Sequence, residues 1–434
     1  MFKNLKKFLF LVLIPSSLFC IDLPNFYRAQ FFQGETKYDV SDWTTHFDFR
    51  YAQGSTKNSW NTQEVRTDLF NAYGPFNLKN LATNIEGITA ASKPNTDRYA
   101  RGVNTYPVIN LYDGTIKLKG HFKTEEFDFT LQQNIFSGIY LQAYVPIRQV
   151  KINGIDYVQS VTTDDEHTQI RNFLDNDLDG ILSEFDMIHT KTSFSRTEVS
   201  DILLSIGWNG HVAFKKSIVT ALRGFIQAGV VIPVARKKNI NHIASISTGY
   251  NRHFAFNVRG NAHATFWEKV VLGANVGAQI FMTQTYYDRM TTSIAQNGWI
   301  VLEKGKAQYD PGTMWDIGAY AKFERIIGGL SITGGYSFVQ QEKTRIKVKD
   351  DNFLSTAYAN STIRNIDEVA NSNKLLSQWY HHVLHGVVGY DFGAHVKNMA
   401  PRFEAFYDYP ILGKHSWPTN MYGGTAGISF IWNF

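Results

Sequence analysis

Cysteine is almost missing from this sequence, since Cys20 is the only one among 434 residues. One thiol cannot build a disulfide framework or a cysteine-rich zinc site. An excess of one charge is missing as well, because 43 Lys and Arg face 38 Asp and Glu, which gives a formal net charge of +5. Charged residues make up 19% of the chain, below the roughly 25% of an ordinary soluble domain. The composition therefore predicts no nucleic-acid partner.

Long hydrophobic runs are also missing, and no window approaches the roughly 18 to 20 apolar residues of a transmembrane helix. The apolar run near the start, 8–14, follows three lysines and precedes a Pro-Ser-Ser turn. This order predicts a secretory signal peptide over residues 1–20, cleaved near Cys20. A lipoprotein cysteine is the alternative, but Phe19 stands where that signal needs a small residue. Cleavage after Cys20 leaves a chain without cysteine, which excludes cysteine catalysis.

Aromatic residues are abundant, at 15% of the chain, and apolar side chains recur at every second position. At the C-terminus the alternate positions are Tyr422, Gly424, Ala426, Ile428, Phe430, Trp432 and Phe434. A period of two predicts a β-strand with one apolar and one polar face. The pattern recurs in twelve segments, which are 43–51, 116–131, 137–149, 200–213, 219–234, 252–266, 270–286, 313–326, 330–342, 379–392, 401–409 and 421–434.

Many of these segments reach the roughly 9 to 11 residues of a membrane-spanning strand and exceed the five or six of a typical soluble one. The second segment changes parity between Phe122 and Phe127. Such a change predicts a β-bulge near residues 124–126.

The connections alternate between short and long. The short ones fall near 132–136, 215–218, 267–269, 327–329 and 394–400, and the long ones near 52–115, 150–199, 235–251, 287–312, 343–378 and 410–420. Tight periplasmic turns and long extracellular loops are typical of outer-membrane barrels. The sequence thus predicts an all-β fold, a closed antiparallel transmembrane β-barrel of about 12 strands (range 10–14) over residues 43–434. Residues 21–42 are predicted to form an N-terminal periplasmic segment. A soluble exported β-protein is the alternative, but it has no reason to sort its loops by length.

The C-terminal strand carries a resemblance. Its polar residue, glycine and alternating aromatics are Thr425, Gly427, Phe430, Trp432 and Phe434. This pattern resembles the signal by which the assembly machinery of Gram-negative bacteria recognises outer-membrane β-barrel proteins. The resemblance implies a porin-like barrel of no specific family, located in the outer membrane, with membrane lipids and the barrel-assembly machinery as partners.

A barrel in lipid must turn its polar side chains inward. The predicted lumen residues are Lys117, Lys119, His121, Arg223, Gln227, His253, Arg259, His263, Asp316, Lys322, Glu324, His381, His385, Arg402, Glu404 and Asp408. Charges of both signs favour a channel for passive diffusion of small hydrophilic solutes or ions. The alternative is a lumen plugged by paired charges, in a barrel with an adhesive or structural role. The sequence leaves a homo-oligomer open as a further partner.

An acidic segment resembles the calcium loop of EF-hand proteins. By that resemblance the ligands are Asp175, Asp177, Asp179, Ile181 through its carbonyl, Ser183 and Asp186. Calcium prefers six to eight oxygen ligands, and the glycine at position 180 permits the sharp turn between them. Asp186 departs from the glutamate expected at the last position. The sequence thus predicts no required cofactor and a calcium ion in an extracellular loop, with a solvated acidic loop as the alternative.

Catalysis is the least favoured function. An outer-membrane hydrolase needs Ser and His within hydrogen-bond reach and a third group that orients the His. His382 has the lipid-facing parity near the end of its strand, but no serine motif accompanies it. The sequence therefore predicts that the protein is not an enzyme.

Overall fold

The computed structural model describes residues 26–27, 43–72, 74, 76–77, 115–160, 182–183, 186–188, 191–215, 217–290, 301, 303–350, 366–371, 377–393 and 399–432. Twelve long strands form the main sheet. They are β1 Trp43–Thr56, β2 Thr115–Phe136, β3 Ile139–Ser160, β4 Ile202–Ala213, β5 Val219–Ile232, β6 Ala255–Phe266, β7 Val270–Phe281, β8 Thr313–Phe323, β9 Leu330–Gln341, β10 Trp379–Asp391, β11 Met399–Lys414 and β12 Asn420–Trp432.

These strands close into an antiparallel barrel. Each strand pairs with the next one in the chain, and β12 pairs with β1 from Trp43 opposite Trp432 to Ser55 opposite Asn420. Closure leaves no open edge among the twelve strands, as a barrel requires. The predicted fold class and strand number are confirmed, and none of the described helices is long and apolar enough to cross a membrane.

The connections sort to the two ends of the barrel. At one end, which we call the turn end, the links are 137–138, 214–218, 267–269, 324–329 and 392–398. At the other, the loop end, they are 57–114, 161–201, 233–254, 282–312, 342–378 and 415–419. The predicted long loop at 410–420 is wrong, because β11 continues to Lys414 and leaves only a short connection.

The β-bulge lies one strand away from its predicted position. Alternate residues of β2 from Leu118 to Asn134 face inward without a break in parity, so residues 124–126 contain no bulge. Instead the pairing of β2 with β3 shifts between Lys119 and His121. The extra residue is on β3 at Gly154, whose φ of 61° suits glycine.

The outer wall carries a continuous apolar belt. Each strand exposes at least one large apolar side chain, and one member per strand is Phe47, Leu131, Leu141, Ile206, Ile226, Phe256, Leu272, Ile317, Ile332, Leu384, Phe403 and Tyr422. An exposed apolar surface of this extent marks an interaction with lipid or protein.

Smaller elements cover the loop end. Strands Gln284–Met290, Glu303–Asp310 and Arg345–Val348 form a separate sheet. Strands Asn58–Trp60 and Arg66–Asp68 form a hairpin. Strand Phe76–Asn77 pairs with β2, strand Phe194–Val199 pairs with β3, Leu69–Asn71 is a 3-10 helix and Ile366–Ala370 is a short α-helix.

Candidate functional site: the barrel lumen

Most of the predicted lumen residues lie on the inner side of the barrel or at a strand end facing it. These are Arg223, Gln227, His253, Arg259, His263, Asp316, Lys322, Glu324, His381, His385, Arg402, Glu404 and Asp408. Their alternation with exposed apolar neighbours on the same strands sets this direction. That they line a conducting pore remains a prediction.

The inward direction is wrong for Lys117, Lys119 and His121. These side chains alternate with buried Leu118, Gly120 and Phe122, so they lie on the outer wall near the loop end of β2. Lys119 Nζ lies 3.4 Å from Asp156 Oδ2 on the outer face of β3. The error follows from the misplaced bulge, which assigned the wrong parity to this half of the strand.

An apolar band covers part of the lumen wall, at the loop ends of β4 to β10 and beside the middle of β3. Its members are Tyr144, Leu203, Val231, Ala255, Phe281, Met314, Val339 and Trp379, which we call the collar. In the strand register, Tyr144 pairs with Leu203, Leu203 with Val231, and Val231 with Ala255, so this part of the collar lies in one row. Side chains from eight strands thus converge to narrow the lumen at this level.

Two residues before the barrel lie at the collar. Phe26 packs against the collar, and its carbonyl accepts a hydrogen bond of 2.8 Å from the Trp417 N–H. Tyr27 is fully buried, with its ring 5.1 Å from that of Phe122. Both therefore lie at the loop end, opposite the turn end where β1 begins at Trp43. The rest of the predicted periplasmic segment 21–42 lies outside the described residues.

The loop 233–254 also turns into the loop end. Thr248 is fully buried, and its carbonyl accepts hydrogen bonds from Arg148 Nη1 at 2.7 Å and Ser200 Oγ at 2.6 Å. The Tyr250 ring lies 4.7 Å from that of Phe281 in the collar. Asp201 accepts hydrogen bonds from the backbone N–H groups of the same loop. These contacts fix the loop to the barrel wall.

A cavity of about 310 Å³ lies beside the collar. Its lining combines the aromatic side chains Phe26, Tyr250, Phe281, Tyr286 and Trp379 with polar ones that include Lys238, Asn251, His253, Gln341 and several hydroxyl groups. Lys238 Nζ lies 2.8 Å from Asp288 Oδ2, so its charge is paired. Burial raises the pKa of the Tyr286 phenol, which keeps this group neutral. The cavity thus offers apolar surface with neutral and charge-paired polar groups.

Below the collar, the wall formed by β9, β10, β11, β1 and β2 carries a charged network. Arg50 Nη1 lies 2.9 Å from Asp128 Oδ2, and Arg50 Nη2 lies 3.8 Å from Asp408 Oδ2. His385 Nδ1 lies 2.8 Å from Asp408 Oδ1, and His385 Nε2 lies 2.7 Å from Ser337 Oγ. All five side chains are buried. One guanidinium faces two carboxylates here, so this wall is acidic, and the ion pairs compensate part of the cost of burying these charges.

The opposite wall carries a neutral network. Tyr140 Oη donates to Gln227 Oε1 at 3.0 Å, while Gln227 Nε2 donates to Gln142 Oε1 at 3.1 Å and to Ser205 Oγ at 2.7 Å. Gly207 lies directly under the Tyr140 ring, where a Cβ atom would approach the ring to 2.2 Å. This wall also carries charge, because Arg259 lies directly opposite Gln227 in the strand register and Arg223 belongs to the same inward row as Gln227.

The turn end of the lumen is more open. Arg402 Nη2 lies 2.7 Å from Asp48 Oδ2, and both side chains are half-buried. Thr425 and Gly427 of the predicted assembly signal belong to the inward row of β12 near this pair. Phe430 and Trp432 are exposed on the outer wall, and Trp432 Nε1 donates to Thr45 Oγ1 at 2.9 Å. Phe434 lies outside the described residues, and recognition by the assembly machinery remains a prediction.

The calcium loop falls mostly outside the described residues, namely Asp175, Asp177, Asp179 and Ile181. Of the two described members, Ser183 and Asp186, the second lies 2.9 Å from Lys304 Nζ through its Oδ2 atom. Within the described ranges no group of three His, Cys, Asp or Glu side chains could hold a metal ion. Calcium binding remains a prediction, as does the signal peptide 1–20, which also lies outside those ranges.

Sequence reasoning missed several residues of the lumen, namely Phe26, Tyr27, Arg50, Asp128, Tyr140, Gln142 and Ser337. One signal was present for Asp128. The outward row Phe127, Phe129 and Leu131 places Asp128 inward once the parity of β2 is read from its C-terminal half. No sequence period predicts Phe26 and Tyr27, because their position depends on packing against distant residues.

No protein-family model and no curated protein sequence matches the chain. Solved structures resemble it at low identity. An outer membrane channel from Pseudomonas putida F1 is 6% identical with a TM-score of 0.49, covering 93% of this chain and 100% of that chain. A Pseudomonas aeruginosa FadL homologue is 8% identical with a TM-score of 0.28, covering 91% and 90%. The CymD monoaromatic hydrocarbon channel is 6% identical with a TM-score of 0.29, covering 91% and 90%. The chain is similar to these proteins in its β-barrel architecture.

Proposed function

We propose that the protein is an outer-membrane channel whose outer mouth is closed in this structure. The apolar belt on all twelve strands supports a location in a bilayer, because a lipid-facing wall must be apolar. The sorting of short and long connections to opposite ends supports an orientation with the loop end outside the cell. The aromatic residues Phe430 and Trp432 near the turn end suit the periplasmic interface.

The observation that carries the proposal is the layering of the lumen. An apolar collar at the outer mouth is followed by polar walls, Phe26 packs against the collar, and Tyr27 is buried beside Phe122. Aromatic contacts and a few hydrogen bonds hold these two residues. Because neither residue belongs to a barrel strand, these contacts can break without a change in the strand pairing. The segment therefore acts as the gate, and its displacement opens the path.

The layering also favours a solute class. A solute that passes the collar needs an apolar part, and one that passes the polar walls needs hydrogen-bonding groups. Small ring compounds with polar substituents meet both needs better than sugars. This solute class differs from the small hydrophilic solutes that the sequence predicted. The aromatic cavity of about 310 Å³ beside the collar has the size and lining for such a molecule.

Swelling of liposomes that contain the refolded barrel tests this function. Hydroxybenzoate and arabinose serve as solutes, and the variants are Phe26→Ala with Tyr27→Ala and, as a control on the exposed loop surface, Val65→Ala. We expect hydroxybenzoate to enter faster than arabinose, and the double variant to admit both faster than the wild type and the control. Folded, inserted barrels that admit neither solute in any variant contradict the channel, and equal rates for the two solutes contradict the solute class.

A further inference from the structure

Three inward side chains on three consecutive strands form a connected chain in the lumen. Ser337 on β9, His385 on β10 and Asp408 on β11 are 2%, 4% and 1% exposed. His385 lies directly opposite Asp408 in the strand register. Ser337 Oγ lies 2.7 Å from His385 Nε2, and His385 Nδ1 lies 2.8 Å from Asp408 Oδ1. Each separation is that of a strong hydrogen bond.

The directions of these bonds follow from the chemistry of the groups. An ionised carboxylate only accepts, so Asp408 takes the proton of His385 Nδ1. This leaves Nε2 of the neutral imidazole as an acceptor, and the Ser337 hydroxyl donates to it. Arg50 Nη2 lies 3.8 Å from the other Asp408 oxygen, Oδ2.

We propose that Ser337 is an activated nucleophile and that the lumen hydrolyses small carboxylic esters. A hydroxyl, an imidazole that accepts its proton and a carboxylate that orients the imidazole are the three groups that nucleophilic acyl transfer needs. If these residues served packing alone, each buried polar atom would need only some hydrogen-bond partner. Packing would not require that a carboxylate, an imidazole and a hydroxyl follow one another in this order.

The reaction balances with these groups and water. The Ser337 Oγ atom forms a bond to the ester carbonyl carbon while His385 Nε2 takes its proton. The carbon–oxygen bond of the ester breaks, and the leaving alkoxide receives that proton and departs as the alcohol. Water then attacks the acyl-serine, gives a proton to His385 and releases the carboxylic acid as the proton returns to Ser337.

The substrate class follows from the surroundings of the site. A substrate has to pass the collar at one end or the half-open Arg402 and Asp48 level at the other. Neutral esters of small ring or short-chain acids fit this path better than charged or long-chain lipids. The inference rests on the proposed channel in one respect only, which is that the lumen admits small molecules.

Covalent labelling of the refolded full chain with a small fluorophosphonate tests the proposal. The reagent forms a phosphorus–oxygen bond at an activated serine and loses fluoride, so intact mass and peptide mapping locate it. We expect labelling at Ser337, none in Ser337→Ala, and unchanged labelling in Ser195→Ala, whose side chain is exposed outside the lumen. Hydrolysis of p-nitrophenyl acetate is expected to follow the same order.

The variant Asp408→Asn separates catalysis from packing. An asparagine amide can donate to His385 Nδ1 and so leave Nε2 protonated, which removes the acceptor for the Ser337 proton. The barrel shape is kept, and we expect labelling to slow by about 100-fold or more. Labelling that is unchanged in Asp408→Asn overturns the proposal.

The variant Ser337→Cys, made with Cys20 replaced by serine, reports whether the position can be reached. If a small methanethiosulfonate modifies this cysteine while wild-type Ser337 resists the fluorophosphonate, Ser337 is not activated and the proposal is wrong. If the cysteine is never modified, no substrate reaches the site and the proposal is wrong as well. Conductance of the wild-type chain decides the channel separately, because labelling requires only that a reagent reaches Ser337.

Discussion

Arg50 Nη1 lies 2.9 Å from Asp128 Oδ2 within the barrel, and the two side chains are 4% and 3% exposed. The pair joins neighbouring strands β1 and β2, whose registers place Arg50 directly opposite Asp128. Replacing both members of a buried ion pair by apolar residues changes the free energy of unfolding little. Removing only one member leaves the other charge buried without compensation, which is strongly destabilising.

Replacing Arg50 by methionine should therefore destabilise the barrel by about 3 to 5 kcal/mol, because Asp128 then remains buried without its cation. The pair Arg402 and Asp48, whose side chains are 23% and 16% exposed, provides the control, and Arg402→Met should cost less, about 1 kcal/mol. Urea unfolding of the refolded barrel, followed by tryptophan fluorescence, measures both. Equal costs for the two variants would show that burial of the Arg50 pair does not govern its energy.

The apolar belt gives a second prediction. Arginine in place of Ile317, which is 54% exposed on the outer wall at the middle of β8, should cost about 2 to 4 kcal/mol. Val65→Arg, in the loop between β1 and β2, should cost almost nothing because that side chain faces water. Heat-modifiable electrophoretic mobility and unfolding in liposomes compare the two, and a tolerated arginine at Ile317 would refute the assigned lipid face.

The sequence predicts the facing of side chains within one strand better than it predicts contacts between strands. Period-two alternation predicted β6 well, with Phe256 outward and Arg259 and His263 inward, because one face meets an apolar and the other a polar environment. The same rule failed at Lys119, since a bulge on the partner strand cannot be read from one strand alone. The hydrogen-bonded chain of Ser337, His385 and Asp408 joins three strands, and no local pattern encodes such contacts.

Packing over a glycine gives a third prediction. An alanine at Gly207 would place its Cβ within 2.2 Å of the Tyr140 ring. Tyr140 must then move and give up its hydrogen bond to Gln227, at a cost of about 1 to 3 kcal/mol. Gly334→Ala is the matched control, because a Cβ there meets no atom within 4 Å. Similar unfolding midpoints for both variants would show that Tyr140 does not pack over β4 as described.

The loop 415–419 should loosen in acid. Burial, and less strongly the charge of Lys414, lower the pKa of His415, although the Gln378 carbonyl opposes this shift. The folded chain therefore binds the proton less readily than the unfolded chain, whose His titrates near 6.5. Stability from this group is present above about pH 6.5 and falls as the pH drops below it. Hydrogen exchange at Trp417 should rise between pH 7.5 and pH 5 after correction for intrinsic rates, and a His415→Gln variant should not show this rise.

Single-channel conductance in a planar bilayer tests the central claim, a gated pore through a twelve-stranded barrel. We predict discrete steps from the refolded wild-type chain, with a low open probability that increases when Phe26 and Tyr27 are both replaced by alanine. The total current should then be larger at the same number of inserted barrels. Electrically silent membranes that contain folded, inserted barrels of both the wild type and the double variant would contradict the account.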